Sequence, residues 1–560
     1  MESYQTWFGE GPELSVLRML GLFDRPADEK TIAVLLKPPG IPGLTESLTE
    51  LNPIERRTIV ARLRRARLLA PEDPHEPGHL DAHPLVREYF SEQLRSQRIE
   101  AWKECNRRLF NYYQTLAPQL PNSFREMEPL VLAVICGCNA GLYREALHKV
   151  YIPRIQRGDT SFAARVLGAR ETLLLILANF FERGRWSSPL EMGVEDQSLT
   201  AQDQLFILMQ AGLYLTATRG FGAHEAEVCY ERAESLSHSL GRPILRSALI
   251  GQWLYSLVTD RLSVTLGIAR RIYSLAHEQN DTALMMGAYR ALSGTLFFLG
   301  DFESAREYAM RGLQIWHTRG AECQAEEITA HPVACLFYEA LCEWHFGEFA
   351  SSQASTAEAI SLAKELNDIH GLAGSLFFAG ILAQCARDHT EVERLASNII
   401  ELSTRRKFAH WLAGGISLRG WARSVSGDTA GGISWIKEGI KDLWEIGTTL
   451  VIPFFLTLKA EALHLADRTS EALEAIKEAE ELVESTEERW WSAELHRLRG
   501  VFLAAIDAEN REVEAAFSEA IRIAKEQKSI SLQKRAEETY AEYRRQKASG
   551  SGGRGFRLHL

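Results

Sequence analysis

The chain has 560 residues, 46% of them hydrophobic and 24% charged, and a net charge of −11. That balance is ordinary for a soluble globular protein. It excludes a nucleic-acid binder acting through whole-chain charge, so any basic site must be local. The apolar runs are too short to span a bilayer, and the opening Met1-Glu2-Ser3-Tyr4 is neither basic nor apolar. None of the 8 cysteines forms a Cys-x-x-Cys pair. A cytoplasmic chain with reduced, buried thiols and no metal or other cofactor is therefore expected.

Residues 1–98 form the first expected domain. Glu13 to Phe23 is a short apolar helix ended by Asp24-Arg25-Pro26, and Asp28 caps a second helix reaching Leu36. Pro38, Pro39, Gly40, Pro42 and Gly43 make a loop. Asn52 caps and Pro53 opens a third helix that runs to about Arg67. Leu68-Leu69-Ala70 and His79-Leu80-Asp81-Ala82 are short extended runs around a Pro-rich loop, and Pro84 opens a helix to about Gln97. Three helices followed by a hairpin describe a winged helix. Its third helix is basic, with Arg56, Arg57, Arg64 and Arg65 as candidates for DNA contact or for docking on an acidic domain. One basic helix on an acidic chain is a weak signal for DNA, and a solvated basic face or a face docked on an acidic neighbour domain is expected instead.

Residues 99–200 are expected to be a helical adaptor with a single hairpin at Gly141-Leu142-Tyr143-Arg144-Glu145-Ala146. From 201 to 546 a small-residue beat recurs about every 40 positions, at Ala226, Thr265, Ala305, Ser352, Val392, Gly432, Ala472 and Val513. A second beat runs seven residues behind it, at Ala233, Ile272, Gly312, Ala359, Ile399, Gly439, Ala479 and Ala520. A fixed period of this length means stacked helix pairs, about eight of them, in an all-α solenoid. One step is longer, between Ala305 and Ser352, which places an insertion around Arg319 to Pro332 and a candidate binding loop with it. Residues 547–560 are Gly-rich and expected to be a flexible tail.

Leu299-Gly300-Asp301-Phe302-Glu303-Ser304-Ala305 and the Gly141 hairpin resemble tetratricopeptide repeats (TPR), whose pattern sets Gly-x-Tyr/Phe-x-x-Ala at the turn. The resemblance implies a protein partner on the concave face. Most of the tryptophans fit inter-repeat packing. His410, Trp411, Trp490 and Trp491 are the candidates to contact a partner, because polar and aromatic groups cluster near helix starts there.

Leu17-Arg18-Met19-Leu20-Gly21-Leu22-Phe23-Asp24-Arg25-Pro26 and Ala82-His83-Pro84-Leu85-Val86-Arg87-Glu88-Tyr89-Phe90 resemble the winged-helix domain of bacterial STAND proteins, signal-transduction ATPases with an NB-ARC or NACHT module. In that family TPR-type sensor repeats follow the winged helix, in the order found here. The resemblance implies that His83 faces the β-phosphate of a bound nucleotide, although Pro84 replaces the family's Asp. No Gly-x-x-x-x-Gly-Lys-Ser/Thr occurs, so an ATPase domain carrying ATP or ADP would act in trans or be missing. The expected function is a non-enzymatic sensor or scaffold. The alternatives are a winged-helix transcription regulator with a TPR sensor and a plain TPR adaptor.

Overall fold

The computed structural model describes residues 8–158, 161–190, 197–243, 245–320 and 328–548. The chain forms two compact units, Met1–Ile207 and Leu208–Leu560. Among the described residues it is helical throughout, with isolated β-bridges in place of strands. The expected tail, 549–560 in particular, lies outside the described residues.

The N-terminal unit opens with α1 (Pro12–Leu20), buried along most of its length, and α2 (Glu29–Leu35), where Asp28 accepts from the Thr31 N–H as the cap. A four-residue helix, α3 (Glu46–Thr49), follows the Pro-rich loop. Asn52 and Glu55 close a reciprocal capping box on α4 (Pro53–Arg65), which turns Ile59 and Leu63 inward and its arginines outward. The helix α5 (Pro84–Gln97) buries Val86, Phe90 and Leu94. Ala27, between α1 and α2, exchanges two backbone bonds with Leu80, at 2.9 and 3.0 Å, and Ala70 N–H donates to Asp81 O at 2.8 Å. The expected hairpin is thus reduced to single pairings. Pro71, Pro74 and Pro77 lack the N–H groups that a longer ladder would need.

Two longer helices follow, α6 (Ile99–Leu116) and α7 (Phe124–Asn139). The chain reverses at Gly141, where φ is +77°, and enters a π-helix over Ala146–Gln156. Its Arg154 is buried and donates to the carbonyls of Gln114, Ala117, Pro118 and Gln119, which satisfies the open end of α6. The short α8 (Arg170–Leu177) completes this part.

The second unit is a stack of helix pairs. The first members are α9 (Ala201–Arg219), α11 (Arg246–Thr259), α13 (Thr282–Leu299), α15 (His331–His345), α17 (Ile369–Cys385), α19 (Ala409–Val425), α21 (Ile452–Leu465) and α23 (Ser492–Ala505). Their partners are α10 (His224–Ser239), α12 (Leu262–Glu278), α14 (Phe302–Arg319), α16 (Phe349–Glu365), α18 (His389–Arg406), α20 (Thr429–Glu445), α22 (Thr469–Thr486) and α24 (Asn510–Glu526). A single helix, α25 (Ile530–Ala548), closes the stack. Every position of both small-residue beats is buried. The reason is close crossing. A Cβ on Gly432 would lie 2.3 Å from Gly420 O, and one on Gly439 would lie 2.5 Å from Ala413 O, so α19 and α20 meet backbone to backbone.

The stack also touches itself across one superhelical turn. Val258 O, at the end of α11, accepts from the Thr449 N–H at 2.8 Å and from its hydroxyl at 2.9 Å, 191 residues on. Phe298 O, at the end of α13, accepts from the N–H groups of Arg489 and Trp490 at 2.7 and 3.2 Å. Trp344 O, at the end of α15, accepts from the Ser531 hydroxyl. Each of these first helices meets the first helix five places later in the stack, whose start supplies donors to its open carbonyls. The rim adds Arg261 on Glu487 at 2.6 Å.

This closure fills the interior. Rings from different repeats pack together: Phe337 on Phe378, Phe377 on Phe455, and Phe297 and Phe454 on Trp490. Most of α15 and α21 is buried on every side, the signature of a helix inside a core. The concave face expected to receive a partner is therefore occupied by the array's own side chains.

Two buried carboxylates mark this interior. Glu488 accepts from Val451 N–H at 3.0 Å and from Trp490 Nε1 at 2.7 Å. Burial outweighs these bonds and pushes its carboxyl up to about 7. A raised folded value gives stability that is present below pH 4.5, the ordinary value for Glu, and lost as pH rises through about 7. Urea unfolding between pH 5 and pH 8 should show that decline, of order 3 kcal/mol at most from this group. Glu488→Gln, which keeps both accepted bonds, should flatten it; an unchanged slope would mean that Glu488 does not hold its proton in the fold. The second carboxylate, Glu494, behaves in the opposite way. Burial pushes it up, but Arg497, Arg535 and Arg387 outweigh burial and hold it at about 2.

Candidate functional site

The structure brings three of the candidate residues together. Arg64, Arg65 and His83, joined by Arg67, line one cavity of ≈ 880 Å³ in the N-terminal unit. The last turn of α4 delivers Arg64 and Arg65, and the loop before α5 delivers His83. Leu68, Leu69 and Ala82 form the apolar part of the wall. His83 is exposed and is the N-cap of α5, its Nδ1 accepting from the Leu85 N–H at 3.3 Å. An accepting Nδ1 makes Nε2 the donor in the neutral ring, beside the positive end of a helix. Arg64 pairs with Glu72 at 2.8 Å and Arg87 with Asp81 at 3.0 Å, so Arg65 and Arg67 leave the cavity electropositive. It can take an anionic group.

The other two arginines lie elsewhere. Arg56 donates to Leu48 O at 3.1 Å and to Thr49 O at 3.4 Å. It ties down the end of α3 and lies outside the cavity. Arg57 is exposed but outside the cavity. Arg62, from the same helix, pairs with Glu13 at 3.1 Å.

His410, Trp411, Trp490 and Trp491 are corrected from surface to core. Their exposures are 8%, 5%, 1% and 3%. Trp411 packs edge-on against Phe221 and His410, and its Nε1 donates to His370 Nε2 at 3.1 Å. Trp490 stacks among Phe297, Phe454 and Trp491, and Trp491 Nε1 donates to the Thr457 hydroxyl at 3.2 Å. Burial holds the His410 imidazole down to about 3, so it is neutral. His370, Glu488 and Thr457 accept N–H groups from the same or the adjacent repeat, while His410 is buried with its Nδ1 unbonded.

Of the insertion around Arg319 to Pro332, residues 321–327 lie outside the described residues. On its far side Ile328 and Thr329 are buried, and Arg290 donates to Thr329 O at 2.9 Å. The seven described cysteines are buried, and Cys323 lies outside the described residues.

A groove of ≈ 800 Å³ in the array was not anticipated. It runs between α16 and α18, over the end of α17, and reaches α25. Phe349, Ser352, Thr356 and Ala357 form one wall, Leu382, Ala383 and Cys385 the floor, and Arg394 and Arg535 lie on the far side. Its signal was present in the sequence: the Gly-x-Phe turn occurs at 300–302 and again at 347–349, and the two turns have different neighbours. Among the described residues no group of three His, Cys, Asp or Glu side chains is placed to hold a metal, and no helix is long and apolar enough to cross a membrane.

The chain matches no family model. It is similar to an uncharacterized protein of Rhizobium meliloti (strain 1021), 24% identical over 358 residues, which cover 62% of this chain and 34% of that protein. It thus spans about a third of the length of the curated relative it matches. Among solved structures it is similar to a Rap protein complexed with competence and sporulation factor, with TM-score 0.43 and 12% identity over 63% of this chain and 100% of that one. It is also similar to a STAND protein with a tetratricopeptide repeat sensor from Pyrococcus horikoshii, with TM-score 0.32 and 12% identity over 96% of this chain and 66% of that one. A third is NprR in complex with its cognate peptide NprX, with TM-score 0.39 and 12% identity over 62% of this chain and 100% of that one.

Proposed function

We propose that this chain is a non-enzymatic sensor or scaffold of a STAND-type signal-transduction system. The repeat array takes a protein partner, and the N-terminal unit acts as a winged-helix module that passes the event to a nucleotide-binding domain, in trans or missing from this sequence. The observation that carries this reading is the convergence of Arg64, Arg65, Arg67 and His83 on one electropositive cavity. The segments around it follow winged-helix order: a helix, a short segment, further helices, then two short segments, with Ala27 beside Leu80 and Ala70 beside Asp81. A phosphate-bearing or acidic face of another domain is its complement. DNA is less well supported, because Arg56, Arg62 and Arg64 are already engaged inside the unit. Moving a two-state switch from 1:99 to 99:1 takes about 5.5 kcal/mol of differential binding, which a partner interface of roughly 1,200–2,000 Å² can supply.

Capture from the native host with the full chain as bait should recover a protein carrying a P-loop. The double variant Arg64→Glu/Arg65→Glu, folded by circular dichroism, should recover at least tenfold less of it. If no P-loop protein is recovered, the in-trans version of this reading is wrong. Retarded genomic DNA that depends on the same arginines would favour the transcription regulator. Partner recovery indifferent to the substitutions would favour a plain repeat adaptor.

A further inference from the structure

The two Gly-x-Phe turns of the array are in register, yet their rings have different fates. Phe302 is fully buried, because the ring of His345, at the end of the next first helix, stacks on it at 3.7 Å and 15°. The repeat position equivalent to His345 in the following first helix, α17, is its last residue, Cys385. The thiol is smaller than the imidazole and covers less of a phenyl ring. Phe349, the equivalent of Phe302, is 54% exposed, and the space beside it is the open groove of ≈ 800 Å³. Opposite the gap, α16 offers Ser352, Gln353, Thr356, Ala357 and Ile360.

One end of this groove is blind. The helix α25 crosses it there, held by the Ser531 hydroxyl on Trp344 O and by the Arg535 guanidinium on Cys385 O. Arg535 belongs to an interior cluster in which Glu461 binds Arg387 at 2.8 Å and Glu494 binds Arg497 at 2.8 Å and Arg535 at 3.1 Å. Three guanidinium groups face two carboxylates, so one positive charge is in excess at the blind end. A guanidinium has five N–H donors, and the bonds to Glu494 and Cys385 O account for two of them. At the mouth, Glu391 pairs with Arg394 and Lys534 with Glu538, while Asp388 caps α18.

We infer that this groove binds the C-terminal end of a partner polypeptide, with an apolar side chain against Phe349 and the terminal carboxylate on Arg535. The inference rests on the sensor reading and names the chemistry of the partner. An Asp or Glu inside a longer segment fits less well, because the chain beyond it would have to pass through α25. A carboxylate at a partly enclosed, charge-excess arginine makes the strong, geometrically selective kind of hydrogen bond.

The test uses the full chain on hexapeptides immobilised through their N-termini, with every residue type at each of the last two positions. Three sets are compared: free carboxylate, C-terminal amide, and amide with an internal Glu. Apolar-ended peptides with a free carboxylate should bind, and their amides at least tenfold more weakly. Ala357→Trp, an exposed position whose indole would fill the groove, should abolish binding, and Phe349→Ala should weaken it about tenfold. Equal binding of the amides, preference for the internal Glu, indifference to Ala357→Trp, or no binding to any peptide would each overturn the assignment. Failure of every peptide to bind, with a P-loop protein still captured through Arg64 and Arg65, would overturn the groove assignment and leave the sensor reading standing.

Discussion

Glu494→Gln is expected to lower the stability of the array unit by about 3–5 kcal/mol, the usual cost of removing one partner from a buried ion pair. Glu494 and Arg497 are both nearly inaccessible, with side-chain exposures of 2% and 3%. Arg535 reaches Glu494 from α25, 41 residues further along the chain. Glutamine keeps the shape of the side chain but leaves Arg387, Arg497 and Arg535 with Glu461 as their remaining counter-charge. Urea unfolding followed by tryptophan fluorescence reads the loss directly. Because the Glu494 carboxyl is held at about 2, its contribution is present above pH 4.5, the ordinary value for Glu, and fades as pH falls toward 2. The gap between wild type and variant should therefore be full at pH 7 and shrink in acid. Glu494→Gln combined with Arg497→Met should recover part of the loss, because the unpaired cation is removed with its partner. A loss below about 1 kcal/mol at pH 7 would mean that water reaches the cluster.

Trp490→Ala should cost about 3–5 kcal/mol, as truncation of a large, fully packed aromatic does, and its effect should appear far along the sequence. The ring packs on Phe297 and Phe298 with centroids at 5.4 and 6.2 Å, and the Trp490 N–H donates to Phe298 O at 3.2 Å. Hydrogen exchange should therefore accelerate in α13 as well as in α23. In a solenoid where each repeat contacts only its neighbours, α13 would be indifferent to a change at 490. Unchanged protection in α13 would show that the closure across the turn adds nothing to its stability.

Much of the local architecture was legible because it depends on short-range geometry. The caps Asp28 and Asn52, Pro53 and Pro84 at helix starts, and the helix from Pro84 to Gln97 follow from which side chains can satisfy free N–H groups at a helix start. The forty-residue beat marked close crossings within the helix pairs, and at Gly432 and Gly420 only glycine lets the two backbones meet. Convergence of Arg64, Arg65 and His83 was partly legible: the resemblance singled out His83, and charge singled out the basic helix. Their common cavity depends on how α4 and α5 are brought together by the pairings of Ala27, Leu80 and Ala70, which no periodicity reports.

The aromatic candidates failed for a related reason. His410-Trp411 and Trp490-Trp491 have the composition of a binding surface, and composition alone does not distinguish a wall that faces a ligand from one that faces itself. The choice lies in the superhelical pitch. Small rotations between successive helix pairs add up, and here they bring a first helix onto the one five places later. No single crossing encodes that sum.

The sequence by itself determined the helix pairs, their phase and their turns, because each is set by neighbours within a few residues or by one repeat. Only the tertiary structure decided that the inner wall is core and that the accessible groove lies at Phe349 and Cys385. Both follow from distant repeats meeting in space. Where His345 supplies a ring, Phe302 is buried under it, and where Cys385 stands at the equivalent place, Phe349 stays exposed beside a groove.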